Sequence, residues 1–256
     1  MILEGIAAVW LLGNATYCSH ALAVAMLPRG RIAERWSLAS VISISAAIAA
    51  FQILALFGAF RLEAAATLGP ILSALTLGAT RQGPIRVFVA VGRDLIAAVL
   101  VVIGSGGPVP RLLRVLLATG MLSVLWRALV LPPLGWDSIT YHAPKAALWL
   151  QSGGSLPFDL PGGWAFYRYY PPGGEILAAW AMLPFHDDTF YLLVDVVFWL
   201  LWAPVLICLQ RELEIRKEWH LGVCVYLMCV PAVYYFIPSG YVDPPPSTCS
   251  SMPAYG

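Results

Sequence analysis

The chain has 256 residues, 60% of them hydrophobic and only 11% charged, with a mean hydropathy of +0.78. Soluble domains carry roughly 25% charged residues, so a soluble globular enzyme is excluded. The 15 basic residues nearly cancel the 14 acidic ones, leaving +1; no bulk charge points to nucleic acid or an acidic polymer, and nucleic acid is excluded as a partner.

A membrane span needs about 20 mostly apolar residues, because every backbone polar group has to bond within the helix. The start, Met1-Ile2-Leu3-Glu4, lacks the basic region and small-residue cleavage site of a secretory signal. The first apolar run is therefore expected to stay as a span. Six stretches approach the required length: 5–27, 37–60, a shorter 64–80, 112–131, 189–209 and 219–238. Residues 95–103 are apolar but short, follow Arg93-Asp94 and run into the breaker segment 104–110, so they are expected at the membrane interface. The fold class is an all-α polytopic membrane protein, with about six transmembrane helices and an outer loop carrying juxtamembrane amphipathic helices.

Cytoplasmic loops retain Lys and Arg. With the N-terminus outward, 11 of the 15 basic residues lie inside; Arg61, Lys145 and Arg168 lie outside, and Arg127 falls within the fourth span. Residues 135–186 are then extracytoplasmic. Within them Pro171-Pro172 starts a helical run over 175–184, too short to span and carrying Trp180 at interface height. Cys18, Cys208, Cys224, Cys229 and Cys249 show no CxxC spacing and no His partners, and read as small buried hydrophobes. After Asp243 the tail 244–256 is neither a span nor a cap, and reads as the trace of a truncation or frame shift.

The densest polar and aromatic run is 135–145, beyond the outer end of the fourth span. A short helix capped by Ser138 or Thr140 and running to about residue 150–153 puts His142, Lys145 and Trp149 on one face, at spacings of three and four. Downstream, Trp164, Phe166, Tyr167, Arg168, Tyr169 and Tyr170 form a second aromatic and cationic patch. Rings beside cations suit sugars and phosphates. Interface belts account equally well for Trp149 and Trp164 taken singly, and Asp137 taken alone reads as a helix cap.

His186-Asp187-Asp188 can bind a divalent ion, although capping is the stronger reading. Arg127 and Asp195 lie at comparable depth below the outer surface, where an ion pair competes with Arg127 reaching a phosphate. Asn14-Ala15-Thr16 and His20 sit within the first span and read as incidental. The glycine-rich 104–107 lacks the Lys-Ser/Thr and flanking strand of a phosphate loop.

A span ending in Trp136-Asp137, then Thr140-Tyr141-His142, an amphipathic helix, and Tyr170-Pro171-Pro172-Gly173-Gly174-Glu175 together resemble the GT-C membrane glycosyltransferases. The closer similarity is to the bacterial protein mannosyltransferase and aminoarabinose transferase group, the family 39-like enzymes, over about 112–243. The resemblance divides the chain into N-terminal membrane helices 1–111, a core 112–243 with an outer catalytic loop 134–188, and the atypical tail. It implies a polyprenyl-phosphate-linked sugar donor, a lipid, glycan or protein acceptor, membrane lipid as surroundings, and a bacterial inner membrane with a periplasmic active face.

In that family an acid in the first large outer loop sits at the active site, and Asp137 matches it; Asp243, in Tyr241-Val242-Asp243, matches a second acid in a later loop. Many relatives pair two acids at the first site, whereas here Ser138 follows Asp137. No cofactor is called for, and a divalent cation is the one left open. Asp137 would orient the acceptor hydroxyl and take its proton. Lys145, Arg168 and Arg127 would cradle the leaving phosphate, while Tyr141, His142 and Tyr170 shape the sugar pocket. A transporter or lipid flippase, favoured by the intramembrane Arg127 and Asp195, and a noncatalytic scaffold are the competing classes.

Overall fold

The computed structural model describes residues 2–81, 83–103, 107–154 and 172–240. Among them the chain is helical throughout, with no strand: α1 (Ile2–Met26), α2 (Ile32–Leu56), α3 (Leu62–Thr80), α4 (Pro84–Ile103), α5 (Pro108–Val130), a π-helical turn (Ser138–His142) running into α6 (Ala143–Ser152), α7 (Gly173–Met182), α8 (Leu193–Glu212), α9 (Lys217–Met228), α10 (Pro231–Phe236) and a 3-10 turn (Ile237–Ser239). Four of these, α2, α3, α5 and α8, are long and apolar enough to cross a membrane. The chain is thus an all-α membrane protein. Many of its large apolar side chains are exposed, Leu56, Phe57 and Trp126 among them, as lipid contact requires and water does not favour.

Side-chain contacts fix the direction of each helix. Trp10 Nε1 donates to Ala66 O at 3.3 Å and Ser73 Oγ to Asn14 Oδ1 at 2.8 Å, so α1 and α3 run parallel. Asn14 thus bonds across a helix pair within the bundle. The C-terminal part of α8 meets the N-terminal part of α2 at Cys208 and Ser37. Trp199 Nε1 donates to Met228 O and Gln210 Nε2 contacts Cys224, making α8 and α9 an antiparallel hairpin. Tyr234 donates to Ser123, and Gly120 faces Cys229, so α5 advances alongside α9 and α10.

These directions gather one set of helix ends, with Arg29, Arg31, Arg35, Arg81, Arg111, Arg114, Arg211, Arg216 and Lys217, at what we call the basic end. The turn after α2, the run 131–154, α7 and the 3-10 turn meet at the opposite, loop end.

Two stretches depart from the hydropathy reading. The interfacial segment expected at 95–103 is the second half of a continuous 20-residue helix, α4. The sixth stretch is broken: α9 stops after 12 residues, Val230 is extended (φ −53°, ψ 130°) and Pro231 restarts the chain as α10. Proline offers no N–H to the preceding turn and biases its predecessor away from helix.

At the loop end an aromatic cluster seats α6 and α7 on α2. Phe51 lies 4.7 Å from Phe60 and 5.0 Å from Trp149 between ring centroids, and Phe60 lies 5.0 Å from Trp180. Trp180 also donates to Ala47 O of α2 at 3.0 Å, which ties α7 to α2. Gly153 ends α6 in the left-handed region (φ 71°), and a Cβ there would lie 2.5 Å from Gly58 O. Gly153→Ala is expected to destabilise the fold by at least about 1–2 kcal/mol from backbone strain alone. An unchanged thermal midpoint in detergent would contradict this packing.

Candidate functional site

The π-helical turn takes Asp137 as its N-cap, with helical backbone angles (φ −66°, ψ −32°). Thr140 Oγ1 bonds back to Trp136 O at 2.8 Å and Ser138 Oγ donates to Ser239 O at 2.7 Å. Gly135 N reaches the same carbonyl at 3.1 Å. Tyr191 Oη donates to Gly240 O at 2.9 Å, so the segment following α5, the approach to α8 and the 3-10 turn converge beside Asp137. Gly240 (φ 75°) is pressed against Ser138 and Tyr191 so closely that a Cβ would lie 2.7–2.8 Å from both. The Asp137 side chain is half-buried and makes no hydrogen bond or ion pair with the described residues, which leaves its carboxylate available.

The expected face forms. His142, Lys145 and Trp149 are all 2% exposed, and α6 lays them against α7. Lys145 Nζ sits 3.1 Å from Glu175 Oε1 and 5.6 Å from the Trp149 ring centroid; His142 Nδ1 is 3.4 Å from the same oxygen. Tyr141 packs on His142 at 3.9 Å between centroids. Lys145, expected among the phosphate ligands, is therefore already engaged by a buried carboxylate. Glu175 was legible only as part of a motif, because its partners lie 30 and more residues away.

Burial pushes the Glu175 carboxyl upward, but the His142 hydrogen bond and the Lys145 charge outweigh it and hold the group below its ordinary value of 4.5. A lowered folded value stabilises the protein above the unfolded pKa, and that stability is lost as pH falls through the folded one. The α6–α7 contact is therefore expected to weaken only below about pH 4. In Glu175→Gln this acid-dependent step should vanish from a pH series of thermal midpoints; its persistence unchanged would assign it to other carboxyls.

Arg127 lies with its guanidinium 5.9 Å over the Tyr234 ring. No ion pair joins it to Asp195 among the described residues, because α5 turns this face toward α10. Asp187 accepts from Thr189 N at 3.0 Å, closing a turn ahead of α8 as a cap does, and no group of three metal-ligating side chains converges among the described residues. Arg168, Tyr170 and Asp243 lie outside the described residues, as do Trp164 and the neighbouring aromatics.

A second buried polar cluster at the basic end escaped the sequence reading altogether. Asp94 of α4 is fully buried. Arg35 of α2 forks onto it through Nε at 2.9 Å and Nη2 at 2.8–3.0 Å, and His20 Nε2 of α1 lies 3.2 Å away. His20, which stands alone within its span in the sequence, is thus a buried hydrogen-bond partner of Asp94. The three positions are 59 and 74 residues apart, and no spacing rule links them.

No family model matches the chain, and neither a curated protein nor a solved structure matches it.

Proposed function

We propose that the protein transfers a sugar from a polyprenyl-phosphate-linked donor to an acceptor hydroxyl at the outer face of a bacterial inner membrane. The observation that carries this reading is the position of Asp137: an available carboxylate at the loop end of a membrane bundle, beside a rigid, aromatic platform. A lipid-borne donor enters from the bilayer and a hydroxyl acceptor from water, and this boundary is where they meet. The excess of basic residues at the opposite end supports an extracytoplasmic loop end.

In the reaction, Asp137 accepts the acceptor's hydroxyl proton as that oxygen bonds to the anomeric carbon. The bond from the anomeric carbon to the phosphate oxygen breaks with its electron pair, and prenyl phosphate leaves from the opposite face, so the configuration inverts. Arg127 and Arg168 supply the positive charge that a departing phosphate needs. Lys145 and His142, joined by Glu175, keep α6 fixed on α7 and so position the preceding turn. Tyr141 and Tyr170 shape the sugar pocket, and Asp243 is the second acid.

The test is the purified chain in proteoliposomes, supplied with prenyl-phosphate-linked hexoses and pentoses. Release of free prenyl phosphate together with a glycosylated acceptor supports transfer. Movement of the lipid between leaflets without transfer would instead favour a flippase.

A further inference from the structure

The helix α4 connects the end of α3 to the start of α5, and both of those lie at the basic end. Tyr17 Oη donates to Pro84 O at 3.2 Å, while His20 holds Asp94. The ten residues from Pro84 to Asp94 cover about 15 Å of helix, yet their contacts on α1 are only three residues, about 4.5 Å, apart. Helix α4 therefore crosses α1 steeply instead of running beside it as a further span would.

Its side chains fall into three stripes of seven-residue spacing. Val87 and Asp94 are buried against the bundle. On the opposite side Ile85, Val89 and Ile96 are 59–78% exposed, and Phe88 and Leu95, 73% and 53% exposed, carry that apolar face round one edge. Between these two faces, on one flank, stand Arg86 and Arg93. Arg86 makes no ion pair among the described residues. Arg93 approaches Asp94 at 3.3 Å but is 67% exposed, and Asp94 is already held by the Arg35 fork and His20. One carboxylate thus faces two guanidinium groups, and positive charge is left over at this flank.

A helix across the end of a membrane bundle, apolar on its free face and cationic along one edge, fits the headgroup layer of a bilayer. We infer that α4 lies in the cytoplasmic leaflet and binds anionic phospholipid headgroups through Arg86 and Arg93. The apolar stripe enters the acyl chains, the arginines meet the phosphates, and the Asp94 ion pairs hold the helix at that depth. Charge complementarity selects acidic over zwitterionic lipid.

The test uses the full chain in nanodiscs of phosphatidylcholine with or without phosphatidylglycerol, reading co-purified lipid by native mass spectrometry. Retention of phosphatidylglycerol over phosphatidylcholine is expected, about five-fold weaker for each arginine removed, in Arg86→Gln alone and in Arg86→Gln with Arg93→Gln. Arg86→Gln touches no described ion pair, so a folding defect does not obscure it. Equal retention of both lipids, or selectivity unchanged in the variants, would overturn the inference. Nitroxide labels at Ile85→Cys and Ile96→Cys, in a chain whose native cysteines are replaced, should report similar depths. A difference approaching the about 16 Å of helix between them would show a crossing helix and overturn it as well.

Discussion

Asp94→Asn is expected to cost about 3–5 kcal/mol of stability, the magnitude found when one member of a buried ion pair is removed and the other is left uncompensated. Asn keeps the shape and some hydrogen bonding but not the charge that Arg35 faces through two nitrogens. Arg35 is itself almost fully buried and also donates Nη1 to Gly30 O at 2.6 Å, so it cannot turn to water without unmaking the turn between α1 and α2. The check is denaturant or thermal unfolding in one detergent for wild type, Asp94→Asn, and Asp94→Asn combined with Arg35→Met. The double variant removes both charges and should recover much of the loss, the non-additivity that marks a direct pair. Additive losses, or no loss in the single variant, would mean that the cluster does not secure α4.

Asp137→Asn is expected to lower sugar transfer by about 10²–10⁴-fold, the range that general-base catalysis supplies, while leaving membrane insertion and the thermal midpoint unchanged. The asymmetry follows from the geometry. The backbone of residue 137 is an ordinary helical one and its neighbours Ser138 and Thr140 carry the local hydrogen bonds, so the carboxylate itself supports nothing structural among the described residues. The acceptor's KM should change less than kcat, because an amide still orients a hydroxyl but does not take its proton. Full activity in this variant would remove Asp137 from the reaction.

The spans and the platform face were legible because each rests on one local rule. Long apolar runs around α2, α3, α5 and α8 answer to hydropathy, and the His142, Lys145 and Trp149 face answers to helical spacing. Where the reading stopped, the cause was distance or interruption. Arg86, Arg93 and Asp94 break the apolar run of α4, so hydropathy registered only its second half, although the helix starts at Pro84. Pro231 divides the last stretch at a position that a composition window averages away. Glu175, His20 and Arg35 find partners across 30 to 74 residues, and only the packed bundle brings those charges together. Of the two readings of Arg127, the pair with Asp195 does not form, for the converse reason: equal depth in a membrane does not fix which way a helix face points, and α5 directs Arg127 to Tyr234.

The central claim is transfer with inversion from a prenyl-phosphate-linked sugar, and the most direct measurement is the anomeric configuration of the product by proton NMR after incubation of wild-type protein with donor and acceptor. The account predicts a glycosylated acceptor whose anomeric centre is inverted relative to the donor, with one prenyl phosphate released per sugar transferred. A product of retained configuration would contradict Asp137 as the acceptor's base, and no product from any hexosyl or pentosyl donor would contradict the transferase reading itself.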